Sequence, residues 1–332
     1  MNDIINRRRR QLVLGGMAGA AGAFIGMPGI ASAQGKTIKI IVGFPPGQAT
    51  DSVARVLTEK LRAATGDTYI VENRPGQGGS IGMGALAKSP ADGTTMMLTH
   101  MSAVAATPHL YKSVPYDTLK DFDAAGLVGD LPFMLVVNAS LPIKSVKELV
   151  EYAKANPDKL TNASSGNGTV SHLAFEEFKR RAGGIKILHV PYKGSSQGLS
   201  DVAAGNVSCA LETAAGVRPF VENGKLRVLA AGTRKRLPAP LDAPTLTELG
   251  YGDFNASTWL MAIYPAGTPK PILANMHKAI GEIVKDPETE ARLNKIGMLV
   301  RTSASPEEAQ NYIKTEYKFW GDVVKRSGAT LD

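Results

Sequence analysis

The sequence predicts an α/β protein of two domains behind an N-terminal export segment, and three observations carry that prediction. A device of apolar β run, glycine turn and helix start occurs at 37–61 and again at 161–181. The apolar stretch Ala124 to Val137 is longer than the neighbouring β runs and suits a strand that passes from one domain into another. About 300 residues follow the export segment, more than one hydrophobic core usually supports.

Residues 1–33 read as an address. Arg7 to Arg10 form a basic region, Leu12 to Ile25 an apolar run rich in Ala and Gly, and Ala31-Ser32-Ala33 a small-residue cleavage site. The predicted state is export with cleavage after Ala33. Arg9-Arg10-Gln11-Leu12-Val13 loosely fits a twin-arginine pattern, and no cysteine follows the cleavage site to carry a lipid. The apolar run is short of the roughly 20 residues of a membrane span.

The elements then follow in order. Thr37 to Val42 is a strand, Phe44 to Asp51 a Gly/Pro turn, and Val53, Ala54, Val56, Leu57 and Leu61 recur at helical spacing, with Thr50 or Asp51 as cap. Thr68 to Glu72 is a second strand, followed by a glycine turn at 73–80 and a helix through Lys88. Gly76-x-Gly78 has Ile81 where a third glycine would complete a dinucleotide fingerprint, so a nucleotide site is not predicted. Thr94 to Leu98 is a third strand, with Thr99 to Ser102 as its exit loop. This alternation implies parallel pairing through right-handed crossovers, with ligands gathered beyond the carboxyl ends of the strands.

Asp130-Leu131-Pro132 interrupts the long run from Ala124 to Val137. Ser145 caps a helix through Lys154, Thr161 to Ser164 is a strand, and Ser165 to His172 is the second glycine turn, opening a helix from Leu173 to Arg181. Ile187 to Val190 is a strand, Ser196 to Ala204 a helix, and Val207 to Leu211 a strand ending in Glu212-Thr213. Leu226 to Ala231 is a strand, 242–252 a loop, and Ser257 to Tyr264 the strand that returns the chain to the first domain. Three helices close it, from Pro271, Pro287 and Pro306, each with proline at or near its first turn.

Composition excludes several classes. Four arginines and one aspartate within residues 1–33 account for +3 of the net charge of +8, leaving +5 without a later Lys/Arg run. Aromatics are only 6%, so a nucleic-acid surface is not predicted. The single cysteine, Cys209, lies in an apolar stretch and reads as a buried thiol. No G-x-S-x-G or H-E-x-x-H occurs, and the neighbours of the five histidines suggest no metal site. An exported hydrolase acting on a small carboxylate is the competing class. A helix N-terminus offers unpaired N–H groups and the positive end of a dipole, so both glycine turns are candidate anion sites that need no charged side chain.

Several short motifs together resemble the periplasmic substrate-binding receptors of tripartite tricarboxylate transporters, the Bug family. They are Phe44-Pro45-Pro46-Gly47-x-x-x-Asp51, Asn73-Arg74-Pro75-Gly76-x-Gly78-Gly79, Pro90-Ala91-Asp92-Gly93, Pro115-Tyr116-Asp117, Gly166-x-Gly168-x-x-x-His172-Leu173-Ala174, Val190-Pro191-Tyr192-Lys193-Gly194, Pro244-Thr245-x-x-Glu248-x-Gly250 and Pro265-Ala266-Gly267-Thr268-Pro269. The resemblance implies a two-domain α/β Venus flytrap of the type II periplasmic-binding kind, with 34–136 plus 256–332 as one domain and 137–255 as the other. It implies a monomer without enzymatic activity, cofactor or metal. Its partners would be a small carboxylate and the membrane subunits of the transporter.

The ligand set it implies is Phe44, Pro45, Gln48, Ala49, Thr50 and Asp51 from the first loop, Ser165, Gly166, Asn167, Gly168, Thr169 and His172 from the second, with Asp201 and Thr213. Gln48 departs from a glycine common in the family and would donate to the ligand or narrow the pocket. Asp51 repels an anion and is expected to cap or brace its loop. His172 would either donate to a carboxylate or pin the turn through a backbone carbonyl. Asp201 is either a solvated helix residue or a brace of the cleft. Trp259 and Trp320 are expected to pack rather than bind.

Overall fold

The computed structural model describes residues 35–237 and 239–327; the segment read as an export signal, with its cleavage site, lies outside them. Strand Thr37–Val42 (β1) is buried from Ile40 onward, as expected of a strand covered on both faces. It pairs in parallel with Thr68–Asn73 (β2) and with Thr95–His100 (β3). Helix Ala49–Thr65 (α1) turns Val53, Ala54, Val56, Leu57 and Leu61 inward and ends at Gly66 with φ 77°. Burying side chains such as Leu57 and Leu61 contributes about 1.5–3 kcal/mol each. Helix Ser80–Ala87 (α2) follows a tight turn at Gln77–Gly79.

The expected exit loop at Thr99–Ser102 is instead structured. Thr99 and His100 extend β3 because strand Ser257–Pro265 (β9), distant in sequence, pairs antiparallel with them. A π-type turn, Ser102–Ala106, then leads into the short helix Thr107–Leu110 (α3).

Strand Phe122–Asn138 (β4) is the hub. Asp130-Leu131-Pro132 does not interrupt it; the partner changes there. Residues from Phe122 to Pro132 pair with β9, and those from Phe133 to Val137 pair with strand Cys209–Thr213 (β7). Proline has no N–H to donate, so it is tolerated where one ladder hands over to the next. Strand Leu226–Ala231 (β8) pairs with the same second half of β4. The two-residue strand Leu299–Val300 (β10), too short to announce itself in the sequence, pairs at Gly129 and Asp130.

Beyond the handover lie helix Val146–Ala155 (α4), strand Thr161–Ser164 (β5), helix Val170–Arg181 (α5), strand Leu188–Pro191 (β6) and helix Ser195–Ala204 (α6). Ser145 caps α4 as expected, accepting from the Glu148 N–H at 3.1 Å. Helix Ala214–Glu222 (α7) was not legible, since Gly216 and Pro219 lie inside it. The whole sheet runs β2-β1-β3-β9-β4-β7-β5-β6, with β8 and β10 also on β4. Helices Lys270–Lys285 (α8), Pro287–Ile296 (α9) and Pro306–Ser327 (α10) complete the fold.

Apolar side chains fill both faces of this sheet. Ile40, Leu57 and Met276 belong to one cluster, Phe175, Phe178 and Trp259 to a second, and Val136, Leu199 and Val217 to a third. Trp259 and Trp320 are packed, and both indole N–H groups donate to Glu316 Oε2. Cys209 is buried and its thiol is pushed far up by burial. Among the described residues no helix is long and apolar enough to cross a membrane.

Candidate functional site

Where β4 changes partners, a small cavity of about 40 Å³ lies among the ends of several strands. Its wall comprises Phe44, Gln48, Ala49 and Thr50 from the first loop, Ser165, Thr169 and Val170 from the second, and Ser195, Glu212 and Thr213 from the α6 and α7 starts. His100, Ser102, Leu131, Phe133 and Thr258 complete it. At this volume it accommodates a few water molecules.

Four helix N-termini contribute to that wall, where the sequence led us to expect two. Gln48, Thr169 and Gly194 are the N-caps of α1, α5 and α6, and no helix N–H donates to a cap side chain in any of the three, although the Val170 N–H of α5 donates to Ser102 Oγ at 3.3 Å. Only α7 is capped in the ordinary way, Thr213 accepting from the Gly216 N–H at 3.3 Å. The first N–H groups of an α-helix have no partner within the helix, and they carry the positive end of its dipole. Among the described residues no Lys or Arg lines the cavity.

The first loop is braced by charge. Asp51 is buried and accepts from the Gly47 N–H at 2.9 Å, from Arg55 Nε at 2.9 Å and from Asn73 Nδ2 at 3.0 Å. Asn73 Nδ2 also donates to the Phe44 carbonyl at 2.9 Å. Burial opposes the Asp51 charge, but Arg55, Gly47 and Asn73 together hold its carboxyl below the ordinary range. Asp51 is therefore a brace, and neither it nor Thr50 caps α1, which begins two residues earlier than Asp51.

Thr169 and His172, both neutral, hold the second loop, and the Glu212 carboxyl lies against its Ser165 and Ser171. Thr169 Oγ1 donates to the Gly166 carbonyl at 2.7 Å, and the Gly168 N–H donates to His172 Nδ1 at 3.1 Å. His172 does pin the turn, but as an acceptor from an N–H and not through a carbonyl. Its ring stacks on His189, centroids 4.0 Å apart and 6° from parallel, and His189 Nε2 lies 2.6 Å from Ser164 Oγ. Burial lowers both imidazoles, His189 to about 3.

A third loop meets these two. Tyr192 Oη donates to Asp201 Oδ2 at 2.5 Å, so Asp201 braces the turn that delivers Gly194 and Ser195. A Cβ on Gly194, at φ 156°, would stand 1.9 Å from Gln48 Nε2. Gln48 thus narrows the site, seated directly against Gly194.

Half of the expected site residues lie on the cavity: Phe44, Gln48, Ala49, Thr50, Ser165, Thr169 and Thr213. Pro45, Asp51, Gly166, Asn167, Gly168, His172 and Asp201 do not. Asn167 is exposed at the tip of its turn, and the rest shape or brace the loops. The sequence reading missed His100, Ser102, Leu131, Phe133, Val170, Ser195, Glu212 and Thr258. Glu212 was visible as a lone acid at the end of an apolar strand, a pattern that could have drawn attention. His100 is fully buried, its ring 4.3 Å from that of Phe44 and tilted 33° to it, and held down to about 3 by burial.

Comparison with known proteins yields a consistent set of likenesses. A sequence model described as the tripartite tricarboxylate transporter family receptor matches residues 53–329. Protein BugT of Bordetella pertussis is 35% identical over 317 residues, covering 93% of this chain and 97% of BugT. Among solved structures, R. palustris Rpa4515 with adipate superposes with a TM-score of 0.85 at 31% identity, over 89% of this chain and 99% of that one. MatC of Rhodopseudomonas palustris with bound malate gives 0.80 at 27% identity, over 87% and 99%.

Proposed function

This chain belongs to the tripartite tricarboxylate transporter family of receptors, and on that premise we propose that it captures a small carboxylate in the cavity at the β4 handover. The observation that carries the proposal is the convergence of four helix N-termini, three of them uncapped by their own N-cap side chain, on a site without a Lys or Arg. Such ends neutralise a carboxylate through backbone N–H groups and dipoles, each end supplying roughly half a positive charge. The adipate and malate bound to Rpa4515 and MatC support this ligand class.

The protein acts in the periplasm after cleavage behind Ala33, by the general or the twin-arginine route, and hands its ligand unchanged to the membrane subunits of the transporter. An intact N-terminus on periplasmic protein would refute the cleavage. Residues 34–136 with 256–332 form one domain and 137–255 the other. A four- to six-carbon acid exceeds the cavity, so the walls part to admit it and close upon it, β4 and the chain before β9 flexing together. Small-angle scattering of the monomer checks this: compaction at saturating ligand is expected.

A thermal-shift screen of di- and tricarboxylates, amino acids and aromatic acids tests the receptor reading. Ligand at a hundred times its dissociation constant stabilises by about 2.7 kcal/mol, on the order of 5 °C for a chain of this size. Stabilisation without turnover supports the proposal; a panel without any stabilising acid, or turnover of the stabilising one, overturns it.

A further inference from the structure

We propose that Glu212 reads a cationic, hydrogen-donating group on the ligand, so that the preferred solute is an amino-carboxylate rather than a plain carboxylate. The inference rests on the carboxylate reading and narrows it. Glu212 ends β7 on the cavity wall, 2% exposed. Its Oε2 accepts the Thr213 N–H at 3.2 Å, and Ser165 and Ser171 lie beside the carboxyl, yet no donor stands at hydrogen-bonding geometry to Oε1. A buried carboxyl oxygen left in this way is costly unless something donates to it. Among the described residues lining the cavity there is no cation to do so. An ammonium on the ligand would supply both the charge and the hydrogen bonds.

Burial pushes the Glu212 carboxyl up; an ammonium beside it favours its ionised form, whereas a second ligand carboxylate at the same place would set like charges together. Thr258 Oγ1 and His100 Nε2 also line the cavity without a partner, each at least nine-tenths buried. Both are neutral. They can complete the hydrogen bonding of any solute, and only Glu212 distinguishes an amine from its absence.

Matched acids test this by calorimetry on the full mature protein: aspartate, malate and succinate; glutamate and glutarate; phenylalanine and 3-phenylpropionate. Within the series that binds, the amino acid is expected to bind about tenfold or more tightly than the plain acid, with malate between its neighbours. In E212Q the gap is expected to shrink below about threefold. A wild-type protein that takes the plain acid as tightly as the amino acid overturns the assignment of Glu212 while leaving the carboxylate reading intact. So does a gap that persists in folded E212Q. If E212Q fails to fold, the wild-type series alone decides. Binding of none of these acids overturns this inference, while the carboxylate reading stands or falls with the wider thermal-shift panel.

Discussion

The loops at 43–51 and 164–172 are built on one plan, strand then glycine turn then helix, yet their glycine N–H groups are held by different chemistry. In the first, a buried carboxylate gathers a backbone N–H, an amide and a guanidinium. In the second, the same task of holding a glycine N–H falls to an imidazole stacked on another imidazole. A helix N-terminus can serve an anion only if its turn keeps shape without adding charge to the wall. Asp51 meets that condition by spending its charge on its own loop; His172 meets it by remaining neutral.

The largest expected effect breaks the first brace. Asp51→Ala strands the Gly47 N–H and the Asn73 amide and frees Arg55, at a cost of about 2–4 kcal/mol. His172→Ala removes one acceptor from one N–H and should cost about 1 kcal/mol. Urea denaturation of both variants compares them, and equal losses would erase the distinction between the loops.

These braces also mark what was legible in the sequence. The alternation of apolar runs with Gly, Pro and capping residues places most strands and helices within a residue or two, because those signals are local. What decides the site is non-local. Nothing near Thr99 and His100 announces that β9 will pair with them, nor does anything near Asp130 announce that β4 changes partners there. His100, Phe133, Glu212 and Thr258 come to one wall only through that pairing. The resemblance to a family named two loops that line the cavity but could not sort wall from brace. Gly166, Gly168, His172 and Asp201 lie beside the cavity wall and turn their groups into the loops.

A second prediction concerns the contact between the first and third loops. Gly194→Ala introduces a Cβ where Gln48 Nε2 stands, and at φ 156° it also strains the backbone. Ligand affinity should fall roughly tenfold or more, about 1.4 kcal/mol. Gln48→Ala in the same chain should recover the part due to the contact. If the double variant recovers nothing, backbone strain accounts for the whole loss and Gln48 does not gate the approach of the loops.

Acidity should separate the two braces more gently. A histidine with a lowered folded pKa contributes stability that is present above its unfolded value near 6.5 and is lost as pH falls toward the folded value, because the unfolded chain binds more protons. His189, held to about 3 by burial with His172 and Lys179 adding to it, therefore loses stability between pH 6.5 and 5. Discounted for its partial exposure, the loss is about 1 kcal/mol. Asp51 has a lowered carboxyl, whose contribution is present above the ordinary carboxylate range and lost only below it, so its brace holds at pH 5. His100 adds a slope of the same sign as His189. Replacing His172 and His189 by Gln should remove only their share of the slope between pH 7 and 5, leaving that of His100. An unchanged slope would mean the stacked pair does not titrate on unfolding.

The smallest effect is expected at the nearest lysine in the motif that supplies Ser195. Lys193 is exposed and does not line the cavity. At physiological salt an exposed charge is screened beyond about 8 Å, and exposed charges contribute little in any case. Lys193→Ala should therefore change the dissociation constant less than about twofold. Thr169→Val is its proper contrast. That hydroxyl lines the cavity and ties the turn to the Gly166 carbonyl, so its loss should weaken binding roughly tenfold by loosening the N–H groups at the start of α5. Calorimetry on the two variants with one stabilising acid settles which chemistry meets the anion. A dominant Lys193 with a silent Thr169 would mean that the charge is neutralised by a side chain reaching in from the surface. The shared plan of the two glycine loops would then be scaffolding rather than the binding device.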